Sequence, residues 1–136
     1  MAKIDYRVQT PKPDAFAALF ETTGWNEEYR ATAAELTRAL ENSWYVLSVY
    51  DGERLVGTGR LVSDGAIHAM VFDVIVHPTY QHRGIGSEIL RRLVEKCRSS
   101  DIRDVQLFCA RGKQPFYERQ GFRARPADAP GMQLDG

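Results

Sequence analysis

The stretch Val74-Ile75-Val76-His77-Pro78-Thr79-Tyr80-Gln81-His82-Arg83-Gly84-Ile85-Gly86-Ser87-Glu88-Ile89-Leu90 decides how this chain folds. It begins apolar, breaks at His77-Pro78, crosses a polar loop and resumes with apolar residues at helical spacing. Upstream, Ile67 to Val76 is apolar on both faces apart from His68 and Asp73. Such a run predicts a strand in the middle of a sheet covered on both sides. Downstream of a helix start near Gly84, the residues Ile85, Ile89, Leu90, Leu93, Val94 and Cys97 form one stripe at a period of 3.6. Arg91, Arg92, Glu95, Lys96 and Arg98 take the other side. Val105 to Cys109 reads as a further short strand, so strand, helix and strand predict a right-handed parallel crossover.

Working back towards the N-terminus, the turn pairs set the rest of the sheet. Ser63-Asp64-Gly65 separates the central strand from Leu55–Val62, and Asp51-Gly52 separates that run from Trp44–Tyr50. Ile4, Tyr6 and Val8 alternate with polar neighbours as a first strand, which Pro11 and Pro13 stop. Phe16, Leu19 and Phe20 predict a helix from Pro13 that ends by Gly24. Thr32 and Glu35 form a capping-box pair ahead of Leu36, Ala39 and Leu40, a second helix. A last helix covers Gln114 to Gln120 and stops at Gly121, and Met132-Gln133-Leu134 reads as a short edge strand. The expected fold is α/β: a mixed central sheet, antiparallel meander plus parallel crossover, flanked by about four helices in one domain over residues 1–136.

Composition narrows the function classes. The 136 residues are 43% apolar, and 18 Lys plus Arg balance 18 Asp plus Glu. A duplex nucleic-acid binder is expected to present a net basic face, so neutrality argues against a nucleic-acid partner. Residues 81–136 lean basic, which leaves room for a local anion site. Cys97 and Cys109, without clustered histidines, predict neither a structural zinc nor another metal site. No run approaches the roughly 20 apolar residues of a bilayer span, and Met1 to Asp5 has no leader pattern, so cytoplasmic residence away from membranes is expected.

The loop before the third helix carries the chemistry. Free N–H groups at a helix start attract anions, and Gly84 and Gly86 let a phosphate approach the backbone, with Arg83 adding a fork of donors. The dinucleotide fingerprint is excluded because its third glycine is missing at Ile89, and no Gly-Lys-Ser/Thr of a P-loop follows.

Gln81-His82-Arg83-Gly84-Ile85-Gly86 resembles the acyl-CoA pyrophosphate loop of the GNAT family of N-acetyltransferases, and Val-His-Pro before it resembles that family's strand end. Phe116-Tyr117-Glu118-Arg119-Gln120-Gly121-Phe122 resembles its Phe-Tyr-x-x-x-Gly-Phe signature. Phe72-Asp73-Val74-Ile75-Val76 and Leu107-Phe108-Cys109-Ala110 look closest to small bacterial aralkylamine-type members. Two departures stand out. Many relatives have an asparagine seven residues before the tyrosine, where this chain has Ala110, and they end in a longer terminal strand pair.

The resemblance implies acetyl-CoA as cofactor. Backbone N–H groups from His82 to Ser87, including those of Ile85 and Gly86, would cradle its pyrophosphate, with Gln81, His82 and Arg83 close by. The main chains of Val74 and Val76 would hydrogen-bond the pantetheine arm. Tyr117 would give a proton to the departing thiolate, as a neutral phenol can. From the residues themselves, Asp73 is the one carboxylate inside the central apolar strand and is read as binding or deprotonating the acceptor amine. His68, at the strand start, is read as too far from the thioester. Trp25 and Tyr29 would wall an amine pocket beside Glu27 and Glu28. Cys97 is read as inert core.

The resulting expectation is an enzyme that moves an acetyl group from acetyl-CoA directly to a primary amine, that of a small metabolite. The alternatives are a protein or peptide N-acetyltransferase and a non-catalytic acyl-CoA-binding module. A homodimer is the expected oligomer, since a short tail leaves a sheet edge to cover.

Overall fold

A computed structural model describes residues 3–136; Met1 and Ala2, where the leader reading begins, lie outside the described residues. One five-stranded sheet runs in the order β1 (Ile4–Val8), β2 (Tyr45–Asp51), β3 (Arg54–Ser63), β4 (His68–Val76) and β5 (Asp104–Leu107). The first four strands pair antiparallel and β4 pairs β5 in parallel. The helices are α1 (Pro13–Glu21), α2 (Asn26–Tyr29), α3 (Ala33–Glu41), α4 (Ile85–Ser99) and α5 (Gln114–Arg119). Meander and crossover are thus those expected from the turn pairs and the apolar stripe.

Side-chain alternation along β2 divides the core into two layers. Leu47 and Val49 pack with Ile85, Ile89, Leu90, Leu93 and Cys97 of α4. Val46 and Tyr50 pack with Phe16, Leu19 and Phe20 of α1 and Leu36 and Leu40 of α3. Each fully buried Leu or Ile contributes roughly 1.5–3 kcal/mol, so the α4 stripe is the largest single holdfast of the sheet. Glycines in β3 let α4 sit close: a Cβ on Gly59 would lie 2.6 Å from Ile89 Cγ2 and 2.9 Å from Leu93 Cδ1. The Thr32–Glu35 capping box that starts α3 is present in full.

Four local readings change. The loop after Gly24 contains a fifth, one-turn helix, α2, which Asn26 closes by accepting from the Ala31 N–H (2.8 Å) and donating to its carbonyl (3.0 Å). β5 begins at Asp104 and stops at Leu107, two residues short of Cys109, because its partner strand turns away beyond Val71. Met132–Leu134 is not a strand: Gly131 lies flat against the Phe108 ring, a Cβ there being 2.4 Å from Phe108 Cε1, and Met132 and Leu134 stay exposed. The central strand starts at His68 rather than Ile67 and is not covered throughout, since the Phe72 side chain is exposed on the face carrying α1 and α3.

Candidate active site

A bulge in β4 makes the site. The β3–β4 register shifts by one residue between Thr58 and Arg60, and the extra residue falls at Asp73, whose φ is 54°. The parallel ladder to β5 ends just before it, at Val71 and Leu107. From Phe72 to Val76, β4 therefore has a strand on one side only. The His77 N–H donates to the Val56 carbonyl of β3 (2.8 Å), and strand alternation turns the main-chain groups of Val74 and Val76 to the opposite side, into the opening. One of these groups has a local partner: Gln81 Nε2 donates to the Val76 carbonyl (3.0 Å) and ties the loop to the strand end.

The loop leads through a turn of 3₁₀ helix (Pro78–Tyr80) into α4. His82 and Gly84 both have positive φ, 65° and 81°, which curl the chain so that the first N–H groups of α4 face outward. Gly84 caps the helix without any side-chain hydrogen bond, and a Cβ on it would project into open space. A glycine here serves the backbone turn and leaves room above the uncapped N–H groups of Ile85, Gly86 and Ser87. Glu88 in this first turn would repel an anion, but Arg91 and Arg92 hold its carboxylate (2.6–3.0 Å) and offset its charge. Their hydrogen bonds lower its pKa from 4.5 to about 2.

Tyr80 anchors the loop. It is nearly buried, and its hydroxyl donates to the Asp51 carboxylate at the end of β2, which pushes the phenol pKa up. The guanidinium carbons of Arg54 and Arg83 lie 5.4 and 5.1 Å from its ring centre. Arg54 Nη2 also lies 3.3 Å from His77 Nε2. Asp51, read from the sequence only as part of a turn, thus supports the loop before α4 from the neighbouring hairpin.

Two ionisable groups flank the opening from opposite faces. Tyr117 on α5 packs with the α4 layer, between Phe116 and Phe122 (ring centres 5.0 and 6.1 Å apart). Burial, with Cys109 nearby, pushes its phenol pKa up, and its hydroxyl makes no hydrogen bond among the described residues. Gln120 Nε2 donates to Ser87 Oγ (3.0 Å), fixing α5 to the start of α4. Asp73 lies on the other face and, as the one carboxylate of β4, it is paired rather than isolated. Arg60 Nε of β3 donates to its Oδ2 at 2.8 Å, and Arg60 Nη1 reaches Ser43 Oγ at 3.2 Å. The hairpin register could have shown this partner, since Ser63-Asp64-Gly65 sets Arg60 opposite Phe72, one residue from Asp73.

The remaining candidates are dispersed. Trp25 and Tyr29 gather on Phe20, with ring centres 6.0 and 6.4 Å away, and Tyr29 is largely exposed. His68 pairs with Asp104 (2.9 Å) at the closed end of the β4–β5 ladder. Cys97 is buried in the α4 layer and Cys109 is exposed. Among the described residues no group of three or more His, Cys, Asp or Glu side chains is placed to hold a metal ion. No described helix is long and apolar enough to cross a membrane.

An acyl-CoA fits this arrangement: an uncapped helix start for the pyrophosphate and a one-sided strand for an amide-bearing arm. Residues 10–122 match the acetyltransferase (GNAT) family. Over 126 residues the chain is 32% identical to histone acetyltransferase TAP1 of Glycine max, covering 85% of this chain and 53% of that protein. It spans about half the length of the Glycine max relatives it matches. A solved GNAT family acetyltransferase of Streptococcus pneumoniae shares 30% identity and a TM-score of 0.84 over 98% of each chain. The fold is also that of a Clostridium acetobutylicum acetyltransferase solved with acetyl-CoA, at a TM-score of 0.73 and 16% identity over 98% of this chain and 96% of that one. Split sheet, glycine-marked helix start and family match coincide along most of the sequence, and the chain belongs to the GNAT acetyltransferase family.

Proposed function

We propose that this protein moves the acetyl group of acetyl-CoA directly to the primary amine of a small metabolite, with residues 1–136 acting as one catalytic domain. The observation that carries the proposal is the opening between β4 and β5, with Tyr117 on one face and Asp73 on the other. Bound acetyl-CoA supplies the thioester carbon at which the C–N bond forms and the C–S bond breaks. The Val74 and Val76 main chains hold the pantetheine arm, and the N–H groups from His82 to Ser87 hold the pyrophosphate with help from Arg83. Tyr117 keeps its proton at neutral pH because burial disfavours the phenolate, and it gives that proton to the departing sulfur. Asp73 receives the amine's N–H through the oxygen that Arg60 leaves free.

The aromatic group of Phe20, Trp25 and Tyr29 supports an acceptor amine that bears an aromatic side chain, in line with the resemblance to aralkylamine-type members. A protein lysine is the second reading, favoured by the name of the Glycine max relative. A homodimer covering the open edge of β5 is the assembly we favour, and sedimentation at two concentrations checks it. The deciding experiment measures thiol release from acetyl-CoA with a panel of small amines and with lysine-rich peptides. Turnover on small amines supports the proposal and turnover on peptides alone supports the second reading. Tight acetyl-CoA binding without transfer to either would leave a binding module.

A further inference from the structure

We infer that Arg60 is a specificity residue and that the acceptor is an amine carrying its own carboxylate, an amino acid in the chemical sense. The inference rests on the acetyltransferase reading above and names its substrate class. α4 and its apolar stripe seal one face of the sheet at the opening, so an acceptor has to come from the other face. On that face Phe72 is 36% exposed, and the Arg60–Asp73 pair lies immediately beside it. The guanidinium carbon of Arg60 stands 5.2 Å from the centre of the Phe72 ring. The Arg60 and Asp73 side chains are held half-sunk, at 17% and 21% exposure.

Each partner keeps an unspent valence. Arg60 commits Nε to Asp73 and Nη1 to Ser43 Oγ, whose own hydroxyl donates to the Ala39 carbonyl at 2.8 Å. Its Nη2 makes no hydrogen bond among the described residues, and neither does Asp73 Oδ1. Ser43 and the Phe72 ring hold the guanidinium in place, and the Asp73 backbone is held by the bulge and by Thr58 Oγ1 near its carbonyl (3.5 Å). A fixed cation and a fixed anion, both partly dry and each with a free edge, complement a ligand with the reverse pair of charges. An isolated amine satisfies only Asp73 and leaves the Arg60 edge facing an uncharged group. An amino acid satisfies both, its amine at Asp73 beside the end of the cofactor arm and its carboxylate on Arg60 Nη2. Asp73 Oδ1 first takes one proton from the ammonium and frees its lone pair. Transfer then forms the C–N bond and breaks the C–S bond, the nitrogen losing its second proton to solvent. Tyr117 gives its own proton to the sulfur and regains one from solvent, so that one proton is released overall.

The test compares acceptors that differ only in the carboxylate. Amino acids, their methyl esters and the matching decarboxylated amines are assayed for kcat/KM at saturating acetyl-CoA, with acetyl-CoA binding followed separately by calorimetry. A charge-assisted hydrogen bond lost from a partly dry site costs about 10- to 100-fold, which is the preference expected for the free acid over its ester. Arg60→Gln should abolish that preference while leaving acetyl-CoA affinity unchanged, and Arg60→Lys should restore part of it. Equal rates on acid and ester by the unaltered protein, a measurement that needs no variant, would overturn the inference. So would transfer to decarboxylated amines alone, which leaves the acetyltransferase reading intact. Failure to bind acetyl-CoA at all would instead bring down the parent reading, and the inference with it.

Discussion

Tyr117 combines the two properties a general acid at this site needs, a proton retained at neutral pH and a hydroxyl with no hydrogen-bond partner among the described residues. Its pKa is raised by burial, so the phenol form persists above the ordinary value of 10.0. Turnover limited by this group should stay level through neutral pH and fall only on the strongly alkaline side. Tyr117→Phe keeps the ring between Phe116 and Phe122 and removes the proton. Single-turnover acetyl transfer should drop by about 10²–10⁴-fold, with acetyl-CoA affinity little changed. A loss seen only in cofactor affinity would assign the hydroxyl to binding instead. The neighbouring Cys109 needs no chemical role for this, since direct transfer requires proximity and proton handling only.

Among the elements, α4 joins sequence, stability and the proposed cofactor site most directly. Its apolar stripe was legible because every buried position falls at helical spacing, and its glycine start because no other residue adopts φ +81° without strain. The short α2 was not legible, since four residues cannot display a period and its closure depends on one asparagine side chain. The Arg60–Asp73 pair was legible only through the hairpin register, since it joins two strands and disturbs no local pattern. Glu88 gives α4 a measurable pH signature. Its folded pKa of about 2 lies below the ordinary 4.5, so it stabilises the protein above pH 4.5, and that contribution is lost as pH falls towards 2. Partly exposed ion pairs contribute about 1 kcal/mol or less, so melting temperatures should fall by a few degrees across that window. Glu88→Gln should show a flatter profile between pH 5 and pH 3, and identical profiles would remove Glu88 from the account.

At the scale of the whole molecule, the proposed phosphate loop is held in place from a distance by the β2–β3 hairpin. Asp51 ends β2 and receives the Tyr80 hydroxyl, while Arg54 begins β3 and reaches both His77 and the Tyr80 ring. Asp51→Asn weakens the charged acceptor without removing the side chain. The expected result is a KM for acetyl-CoA raised about 3- to 10-fold with kcat nearly unchanged, checked by initial rates at several cofactor concentrations. A fall in kcat of the same size would place the hairpin's influence on the chemistry. The split between β4 and β5 has a further consequence, in the timing of isotope exchange. Amides of Val74 and Val76 have no partner strand, so in the free protein they trade hydrogen for deuterium quickly, while those in the paired stretch from His68 to Val71 trade slowly. A pantetheine arm in the gap, as proposed, should act as a surrogate strand and slow only the former. The seam would then be a built-in occupancy gauge: the deuterium uptake of one peptide spanning Phe72 to Val76 should report how much of the protein is loaded, with no acceptor present and no reaction running, and unchanged uptake on adding acetyl-CoA would place the arm elsewhere.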